Sequence, residues 1–410
     1  MTIKHLYPSQ RPSLDLNFAR TKRLDPRVTF TRGSTATYVG NDGLIKTAVD
    51  NEPRFDHDPV TGESLGLLVE EERVNSLRYS QDFTDALWVK TSATIIPNSV
   101  IAPDGTLTGS TMKANAGTAI LPSVIQNAGD AAIRTLSLYA KMGTYRYLKI
   151  NPRVNQYALV VDLQDGSVYA TGNTGVVSAD IIPAPNGWYR LILTTDVTAP
   201  TRTFAIRFST NANNNSTFDF DGTETVHIWG AQLETGAFPT SYIPTTSSTV
   251  TRAADVASIT GSNFSSWYNQ SEGTVFAEGV RNFTISSEFP RMLSFGTAGS
   301  NAQLIDILGV SGDDRLEVAA LGIAQALLQI SPDTAAFTRS SYAAALKNNN
   351  FAFTRNGAAV VTDTSGTVPA VSQLRIGDRQ DGVRTHNGTI RRLTYWPTRL
   401  SNDTLQTITV

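Results

Sequence analysis

Paired carboxylates are the first chemistry to look for in this sequence. A retaining glycosidase needs two carboxyl groups about 5–5.5 Å apart, which on a strand means acidic residues two positions apart on one face. Glu70 and Glu72 have this spacing, but they lie in a charged turn, Glu70-Glu-Glu-Arg73, after a strand-like segment. No predicted strand carries such a pair within it. The carboxylates therefore do not predict a glycosidase.

The sequence also lacks the residues that nucleophilic catalysis requires. A Ser-His-Asp triad needs a histidine beside an activated serine, and zinc favours clustered ligands. His5, His57, His227 and His386 are scattered, and no Gly-x-Ser-x-Gly segment occurs. The chain has no cysteine, which excludes thiol nucleophiles, disulfides and thiolate metal sites. We therefore predict that the protein is not an enzyme.

Calcium is the one metal that the sequence leaves open. Asp313, Asp314, Asp378 and Asp381 lie in predicted loops, where carboxylates and carbonyl groups could supply the hard oxygen ligands that calcium prefers. Aspartates in such places are more often turn formers. We expect no cofactor, with calcium as the open alternative.

Sugar recognition uses aromatic rings and a few polar groups in loops or on a concave sheet. Trp188, Trp229 and Trp396 lie in strand patterns and are interpreted as core residues. The aromatic candidates near turns or segment edges are Trp88, Tyr145, Tyr147, Trp267 and Tyr268. A polar loop, residues 378–387, is named here the rim loop, and its alternative interpretation is a solvated hairpin. Its candidate ligand-binding residues are Asp378, Arg379, Asp381, Arg384, His386 and Asn387.

The elements that position these residues are predicted to be strands. Alternating apolar residues recur at 135–141, 157–162, 188–193 and 203–208, with Asp-Gly and Asn-Gly turns between them. Residues 316–330 are ambiguous, but Gly322 at their centre favours two strands over a helix. Charged residues make up only 17% of the chain and its net charge is −2, so no basic surface for nucleic acid is implied. No apolar run approaches the ~20 residues that span a membrane.

The predicted fold is all-β, with two tandem jelly-roll β-sandwiches preceded by an irregular N-terminal arm. The predicted boundaries are 1–78 for the arm, which would anchor the chain, 79–250 for the first sandwich, 251–265 for a linker and 266–410 for the second sandwich. Residues 226–256 join the two sandwiches: a last core strand, a proline-containing strap at 238–244, and a polar stretch at 245–251 that is the predicted hinge.

Several segments resemble those of bacteriophage structural proteins. In the arm these are Asp15-Leu-Asn-Phe-Ala, Arg27-Val-Thr-Phe-Thr-Arg-Gly-Ser-Thr-Ala-Thr-Tyr38 and Leu67-Leu-Val-Glu-Glu. Ser137-Leu-Tyr-Ala-Lys, Gly187-Trp-Tyr-Arg and Trp229-Gly-Ala-Gln-Leu-Glu are similar to a carbohydrate-binding module. Leu374-Arg-Ile-Gly377 and Asn387-Gly-Thr-Ile-Arg-Arg-Leu-Thr-Tyr-Trp-Pro397 resemble concanavalin A-like (laminin-G-like) phage domains.

This resemblance implies a virion protein, most simply a tail fibre or other receptor-facing appendage subunit that binds host surface glycan. It would be assembled in the host cytoplasm, released by lysis and attached to other virion proteins through the arm. The resemblance also implies a homo-oligomer, with a trimer as the usual form of fibres. The alternatives are an architectural capsid-decoration or baseplate protein and, less favoured, a polysaccharide depolymerase. Neither nucleic acid binding nor membrane insertion is expected.

Overall fold

The computed structural model of this protein describes residues 10–127, 133–152, 159–170, 176–196, 203–209, 217–283 and 289–410. Over this part of the chain regular structure is almost entirely β, because apolar and polar residues alternate along short segments that end at Gly, Asn and Asp. Among the described helices none is long and apolar enough to cross a bilayer.

The strands are numbered in chain order. The N-terminal ones are β1 (Leu14–Asn17), β2 (Thr29–Thr31), β3 (Ala36–Val39), β4 (Ile45–Ala48), β5 (Arg54–His57), β6 (Ser64–Val69) and β7 (Arg73–Asn75), with helix α1 (Phe18–Thr21) after β1. The next group is β8 (Val89–Thr91), β9 (Ala93–Val100), β10 (Gly109–Ala114), β11 (Gly117–Ile120), β12 (Ser123–Asn127), β13 (Arg134–Met142), β14 (Tyr147–Asn151), β15 (Leu159–Asp162), β16 (Ser167–Ala170), β17 (Val176–Ala184), β18 (Trp188–Thr195), β19 (Thr203–Phe208), β20 (Phe218–Phe220) and β21 (Thr225–Thr235), with a 3-10 turn at Pro185–Gly187.

The C-terminal group continues this numbering. It comprises β22 (Val250–Arg252), β23 (Val256–Thr260), β24 (Glu272–Arg281), β25 (Arg291–Thr297), β26 (Ser300–Val310), β27 (Asp313–Ala320), β28 (Ile323–Ile330), β29 (Arg339–Lys347), β30 (Phe351–Arg355), β31 (Val361–Asp363), β32 (Gln373–Ile376) and β33 (Gly388–Trp396), with helices α2 (Gly261–Ser265) and α3 (Asn402–Ile408). Residues 316–330 form β27 and β28, as the central Gly322 predicts.

The central sandwich packs one sheet, in the order β17-β18-β13-β21-β10-β9, on a second, in the order β16-β15-β14-β19-β12-β8. Side chains of both sheets fill a shared core that includes Leu136, Leu191, Ile150 and Phe204. Trp188 and Trp229 are 1% exposed, so their interpretation as core residues is confirmed. The all-β fold with a β-sandwich here matches the prediction.

The C-terminal sandwich takes in strands from both ends of the chain. Its sheets run β31-β30-β29-β24-β33-β6-β5, with β1 also paired to β33, and β2-β23-β32-β25-β26-β27-β28. Leu14 lies opposite Tyr395, and Phe30 opposite Ala257. Strands β1, β2, β5 and β6 are therefore built into this sandwich, whereas β3 pairs with β4, β7 pairs with β22, and Leu77 lies in the central core. The described part of residues 1–78 is not a separate arm, because its apolar side chains complete cores that they could not form alone.

A buried ion cluster joins the two sandwiches. Glu70 at the end of β6 binds Arg54 at 2.7 Å and Arg252 at 2.5 Å, while Asp255 binds Arg54 and, at 3.2 Å, Arg32. Burial opposes the charge of the Glu70 carboxylate, but the two guanidinium groups outweigh it and lower its pKa to about 2. Loss of one member would leave an uncompensated buried charge, so this cluster fixes the junction.

The predicted linker and hinge are ordered parts of the structure. Thr245 receives a hydrogen bond from the Ser80 backbone and donates its hydroxyl to the Leu77 carbonyl at 2.8 Å. Within the predicted linker 251–265, β23 belongs to a sheet of the C-terminal sandwich. The strap packs back on the central sandwich as predicted, since Arg190 donates to the Thr240 carbonyl at 2.7 Å and the Ile243 backbone donates to Gln232 at 2.6 Å. The Ser241 backbone and hydroxyl also donate to Glu70, both at 2.7 Å. The predicted hinge is therefore held at both ends, by the hydrogen bonds of Thr245 and by the pairing of β22 with β7, while residues 246–249 between them are exposed.

Candidate functional site

The candidate site lies at one edge of the central sandwich and is named here the tyrosine edge: Tyr145, Arg146, Tyr147, Asp162, Asp165 and Tyr169. Strand β14 presents Tyr147 directly opposite Asp162 of β15. A tight turn at 162–167 then leads into β16, with Gly166 at a φ of +77° and Ser167 donating its backbone N–H to Asp165 at 2.9 Å. The pairing of β15 with β16 shifts register at Tyr169, and the ring of this residue lies beside that of Tyr147.

The three tyrosine rings form a ladder from the core to the surface. Tyr145 is held at the inner end, since its hydroxyl donates to the Ser209 carbonyl at 2.8 Å and its ring contacts Phe208. The ring centroids of Tyr145 and Tyr147 are 6.2 Å apart, and those of Tyr147 and Tyr169 are 5.9 Å apart at an interplanar angle of 85°. Tyr169 is 43% exposed. An anchored aromatic row therefore ends in a ring that is available to a ligand.

Charged groups flank these rings. The Arg146 guanidinium lies over the Tyr147 ring, 5.1 Å from its centroid, and forms an ion pair with the buried Asp162. A hydrogen bond from Ser167 lowers the pKa of the exposed Asp165 carboxyl, so this group is an ionised acceptor near neutral pH. The edge thus offers a ring face, guanidinium donors and a carboxylate acceptor. These are the groups that orient a hydroxylated ring.

Lys149 and Arg207 continue this face inward along the sheet. They lie opposite each other on β14 and β19, and both are nearly fully buried. Burial, with a smaller contribution from Arg207, lowers the pKa of the Lys149 amine to about 8. Like charges opposite one another destabilise a sheet.

The rim loop residues are bound mostly to neighbouring residues of the C-terminal sandwich. Asp378 is 2% exposed and pairs with Arg375, with Nε donating at 2.8 Å, although burial raises the pKa of its carboxyl to about 6. Arg379 pairs with Asp381, which also accepts from Asn301 at 2.8 Å. Arg384 lies over the Phe289 ring, 4.9 Å from its centroid. These candidate ligand groups are therefore already engaged by other residues of the protein.

His386 and Asn387 at the end of the rim loop are buried, contrary to the prediction of a ligand-facing role. His386 is 4% exposed, and its Nε2 lies 3.1 Å from the Val280 carbonyl. Asn387 accepts from the Glu71 backbone at 2.8 Å and donates to the Glu71 carboxylate at 3.0 Å. Both side chains fasten β33 to its surroundings, which explains their polarity without a ligand.

Three of the predicted aromatic residues belong to the cores. Trp88 is fully buried and donates its indole N–H to the Tyr79 carbonyl at 3.0 Å. Trp267 is 5% exposed, and Tyr268 stacks on Tyr395 with ring centroids 5.2 Å apart. These rings were expected to be exposed because they lie beside turns. They are buried because the turns themselves fold onto the sandwiches. Two pairs of the five aromatic candidates are in ring contact, but Trp267 and Tyr268 meet in the core of the C-terminal sandwich, and only the pair Tyr145 and Tyr147 lies at an edge of the central sandwich.

The catalytic and metal candidates also have structural partners. Glu70 belongs to the buried ion cluster and Glu72 is exposed, so the two carboxyls do not form a reactive pair. Asp314 accepts from Thr334 at 3.0 Å and from Arg355 at 2.5 Å, and Asp313 from Gln329 at 3.0 Å. Within the described ranges no three His, Asp or Glu side chains gather as metal ligands would.

Sequence reasoning did not find Arg146, Asp162, Asp165 and Tyr169. The signal that could have found them is the hairpin: Asp165-Gly166 is a turn between two strand-like segments, and pairing those segments places Tyr169 near Asp162. The cross-strand pairing of Tyr147 with Asp162 depends on register, which alternation alone does not specify.

Comparison with known proteins yields similarities of fold only. No family model and no curated protein matches the chain. Among solved structures, the CBM40 domain of a Ruminococcus gnavus IT-sialidase bound to α2,3-sialyllactose is 18% identical, with 36% of this chain and 88% of that chain covered and a TM-score of 0.32. A Trypanosoma rangeli sialidase is 11% identical, with 73% and 60% covered and a TM-score of 0.29. A heptameric pentraxin from Limulus polyphemus has a TM-score of 0.25, with 14% identity over 33% of this chain and 68% of that chain. Similarities at this level do not bear on function.

Proposed function

We propose that this protein is a non-enzymatic virion component that binds host surface saccharide at the tyrosine edge. One observation carries the binding proposal: the exposed Tyr169 ring ends an anchored aromatic row, beside the Arg146 guanidinium and the ionised Asp165. Flat aromatic surfaces bind sugar rings at little cost in conformational entropy, and neighbouring charged groups orient the hydroxyls.

The proposal of a virion protein is supported by the phage-like segments of the sequence and not by the tyrosine edge. It includes a receptor-facing appendage such as a tail fibre, release by host lysis, and a homo-oligomer, for which a trimer is the simplest form. The proposal keeps the attachment to other virion proteins on the N-terminal residues 1–78, as the resemblance implies. Calcium is not required by this proposal. The alternative is an architectural capsid-decoration or baseplate protein, and the less favoured one is a depolymerase.

A retention experiment tests the binding proposal. The full chain is passed over immobilised host-surface polysaccharides, in parallel with Tyr169→Ala and with Phe337→Ala as a matched control. Phe337 is 48% exposed but lies in the C-terminal sandwich, far along the chain from the tyrosine edge. We expect the wild type and the control to be retained and Tyr169→Ala to elute early. Equal retention of all three contradicts binding at this edge.

The alternative functions predict different experimental results. An architectural protein would show no retention on any host polysaccharide and would still be found in purified virions by mass spectrometry. Absence from purified virions would contradict the virion assignment without affecting the binding result. Release of new reducing ends from a host polysaccharide during long incubation would favour the depolymerase.

A further inference from the structure

A cleft distant in sequence from the tyrosine edge opens beside the β3–β4 hairpin and is named here the hairpin cleft. Its volume is about 780 Å³, within the range of small-molecule sites. It lies between the residues that follow α1, the hairpin and β5. Lys22 adopts a left-handed conformation, with a φ of +49°, and donates its N–H to the Phe18 carbonyl at 2.9 Å. This cap ends α1 abruptly and brings Lys22 and Arg23 to the cleft.

Two aromatic side chains form part of the cleft wall. Tyr38 on β3 and Phe55 on β5 are both half-buried. Phe55 packs against the core of the C-terminal sandwich. Burial and the nearby Glu52 raise the pKa of the Tyr38 hydroxyl, so it remains a hydrogen-bond donor over the ordinary pH range. The cleft wall thus offers a ring-shaped ligand two aromatic side chains and one hydroxyl group.

The charges of the cleft are mostly positive, although the whole chain has a net charge of −2. Lys22, Arg23 and Lys46 line it, against the single carboxylate of Glu52. That carboxylate already accepts from the Val49 backbone at 2.8 Å. Lys46 pairs with Asp42 at 2.7 Å, but both side chains are exposed, and such pairs are weak and easily exchanged. The cleft therefore favours an anion.

His57 supplies an independent sign of a ligand. It lines the cleft, is 4% exposed, and has its Nδ1 3.0 Å from the Val39 carbonyl. Because a carbonyl only accepts, Nδ1 carries the proton, and Nε2 is left as an acceptor. This Nε2 is buried and finds no donor among the residues that the structure describes. Buried polar atoms are normally paired, so an orphaned acceptor at a cleft calls for a donor from outside.

We propose that the hairpin cleft binds an acidic saccharide unit, with its carboxylate held by Lys22 and Arg23, its ring against Tyr38 and Phe55, and a hydroxyl donated to Nε2 of His57. A uronate combines the three features in one small molecule: a negative charge, a ring with an apolar face and several hydroxyl donors. The site is separate from the tyrosine edge and would give the chain a second point of attachment to an acidic polysaccharide, where linked sites bind more tightly than either alone.

The test is titration calorimetry on the full chain with glucuronate as the probe. Methyl glucoside, which lacks the charge, and inorganic phosphate, which lacks the ring, are the comparison ligands. We expect glucuronate to bind measurably more tightly than either, and more weakly as salt is added. No glucuronate binding at millimolar concentration would overturn the proposal. Equal binding of phosphate would also overturn it, since the cleft would then be an anion site without a saccharide preference.

Variants locate the binding. Lys22→Asn removes a charge and places asparagine at a left-handed position that it tolerates, and Arg23→Gln removes the neighbouring charge. We expect each to weaken glucuronate binding at least fivefold. The matched control is Arg20→Gln, an exposed arginine of α1 that does not line this cleft. His57→Phe keeps the ring and removes the acceptor; if it does not fold, the two charge variants decide. Equal affinity of Lys22→Asn, Arg23→Gln and Arg20→Gln would contradict the site. Tyr169→Ala should bind glucuronate like the wild type, which separates this result from that on the tyrosine edge.

Discussion

The rim loop and the tyrosine edge contain the same kinds of groups arranged with opposite results. Each has an arginine over an aromatic ring, Arg384 over Phe289 at 4.9 Å and Arg146 over Tyr147 at 5.1 Å. Each also has an arginine–aspartate ion pair. In the rim loop, however, His386 and Asn387 are buried and bonded to Val280 and Glu71, whereas the tyrosine edge ends in an exposed ring.

This difference teaches that polar composition does not mark a ligand site. The rim loop is polar because a chain that returns from β32 to β33 must satisfy buried backbone and side-chain groups. The tyrosine edge is polar around an aromatic face that the fold leaves open. The two regions differ in whether each polar group already has a partner within the protein. The sequence alone does not reveal these partners.

The largest predicted effect concerns the stability of the rim loop. Asp378→Ala removes a buried carboxylate and leaves Arg375, whose side chain is only 14% exposed, without its partner. We expect a loss of about 3–5 kcal/mol in the free energy of unfolding, the usual cost of breaking a buried pair. Urea denaturation measures it. Asp381→Ala, at the 30% exposed aspartate of the same loop, is the matched control and should cost no more than about 1 kcal/mol. Equal losses would mean that the rim loop is not held together as described.

The second effect is on the pH dependence of stability. Burial, with a contribution from Arg281, lowers the pKa of His386 to about 4, against about 6.5 in an unfolded chain. Between these values the unfolded state binds the proton more tightly, so this residue's contribution to stability is complete above pH 6.5 and is lost as pH falls towards 4. We expect the stability difference between wild type and His386→Gln to fall by roughly 3 kcal/mol across this window.

The stability of the wild type must be compared with that of His386→Gln at each pH, because other groups titrate in the same pH range. Burial raises the pKa values of Asp306 and Asp378 to about 6, so these carboxyls bind protons more tightly in the folded state. Their contribution has the opposite sign: it is lost as pH rises through 6. Denaturation of wild type and His386→Gln at matched pH cancels it. A pH-independent difference would show that His386 is not buried as a neutral group.

Whether a structural feature can be predicted from the sequence depends on how far apart along the chain the interacting residues lie. The strands, the β27–β28 hairpin and the Ser401 cap of α3, which accepts from the Thr404 backbone at 3.2 Å, follow from local alternation, turns and capping. The pairing of β1 with β33 joins opposite ends of the chain. No local pattern specifies such a pairing, which is why the sequence alone predicts an arm over residues 1–78.

The candidate site was only partly predictable for a related reason. Tyr145 and Tyr147 were identified from their position near a turn, and so were Trp88 and Trp267, which are core residues. Whether a turn lies open or folds back on a sheet depends on the packing of the whole sandwich. The exposed Tyr169 was missed because its place beside Tyr147 follows from the register of β14, β15 and β16.

The third effect is on binding at the tyrosine edge. Arg146→Lys keeps the charge beside Asp162 but loses the planar guanidinium that lies over Tyr147. We expect retention on the bound polysaccharide to weaken about two- to fivefold, the range of an exposed cation–π contact. Affinity chromatography at constant salt measures it. Unchanged retention would mean that the guanidinium does not contribute to the site.

The smallest effect belongs to the equivalent arginine of the rim loop. Arg384→Lys makes the same chemical change over Phe289, so any general effect of losing a guanidinium on charge or folding should be equal in the two variants. If the tyrosine edge binds the saccharide, Arg384→Lys should elute with the wild type on the column that separates Arg146→Lys. If Arg384→Lys loses retention and Arg146→Lys keeps it, the saccharide binds the rim loop, and the internal pairing of that loop does not prevent it. Because the two variants differ only in which arginine is changed, their order of elution decides between the two regions.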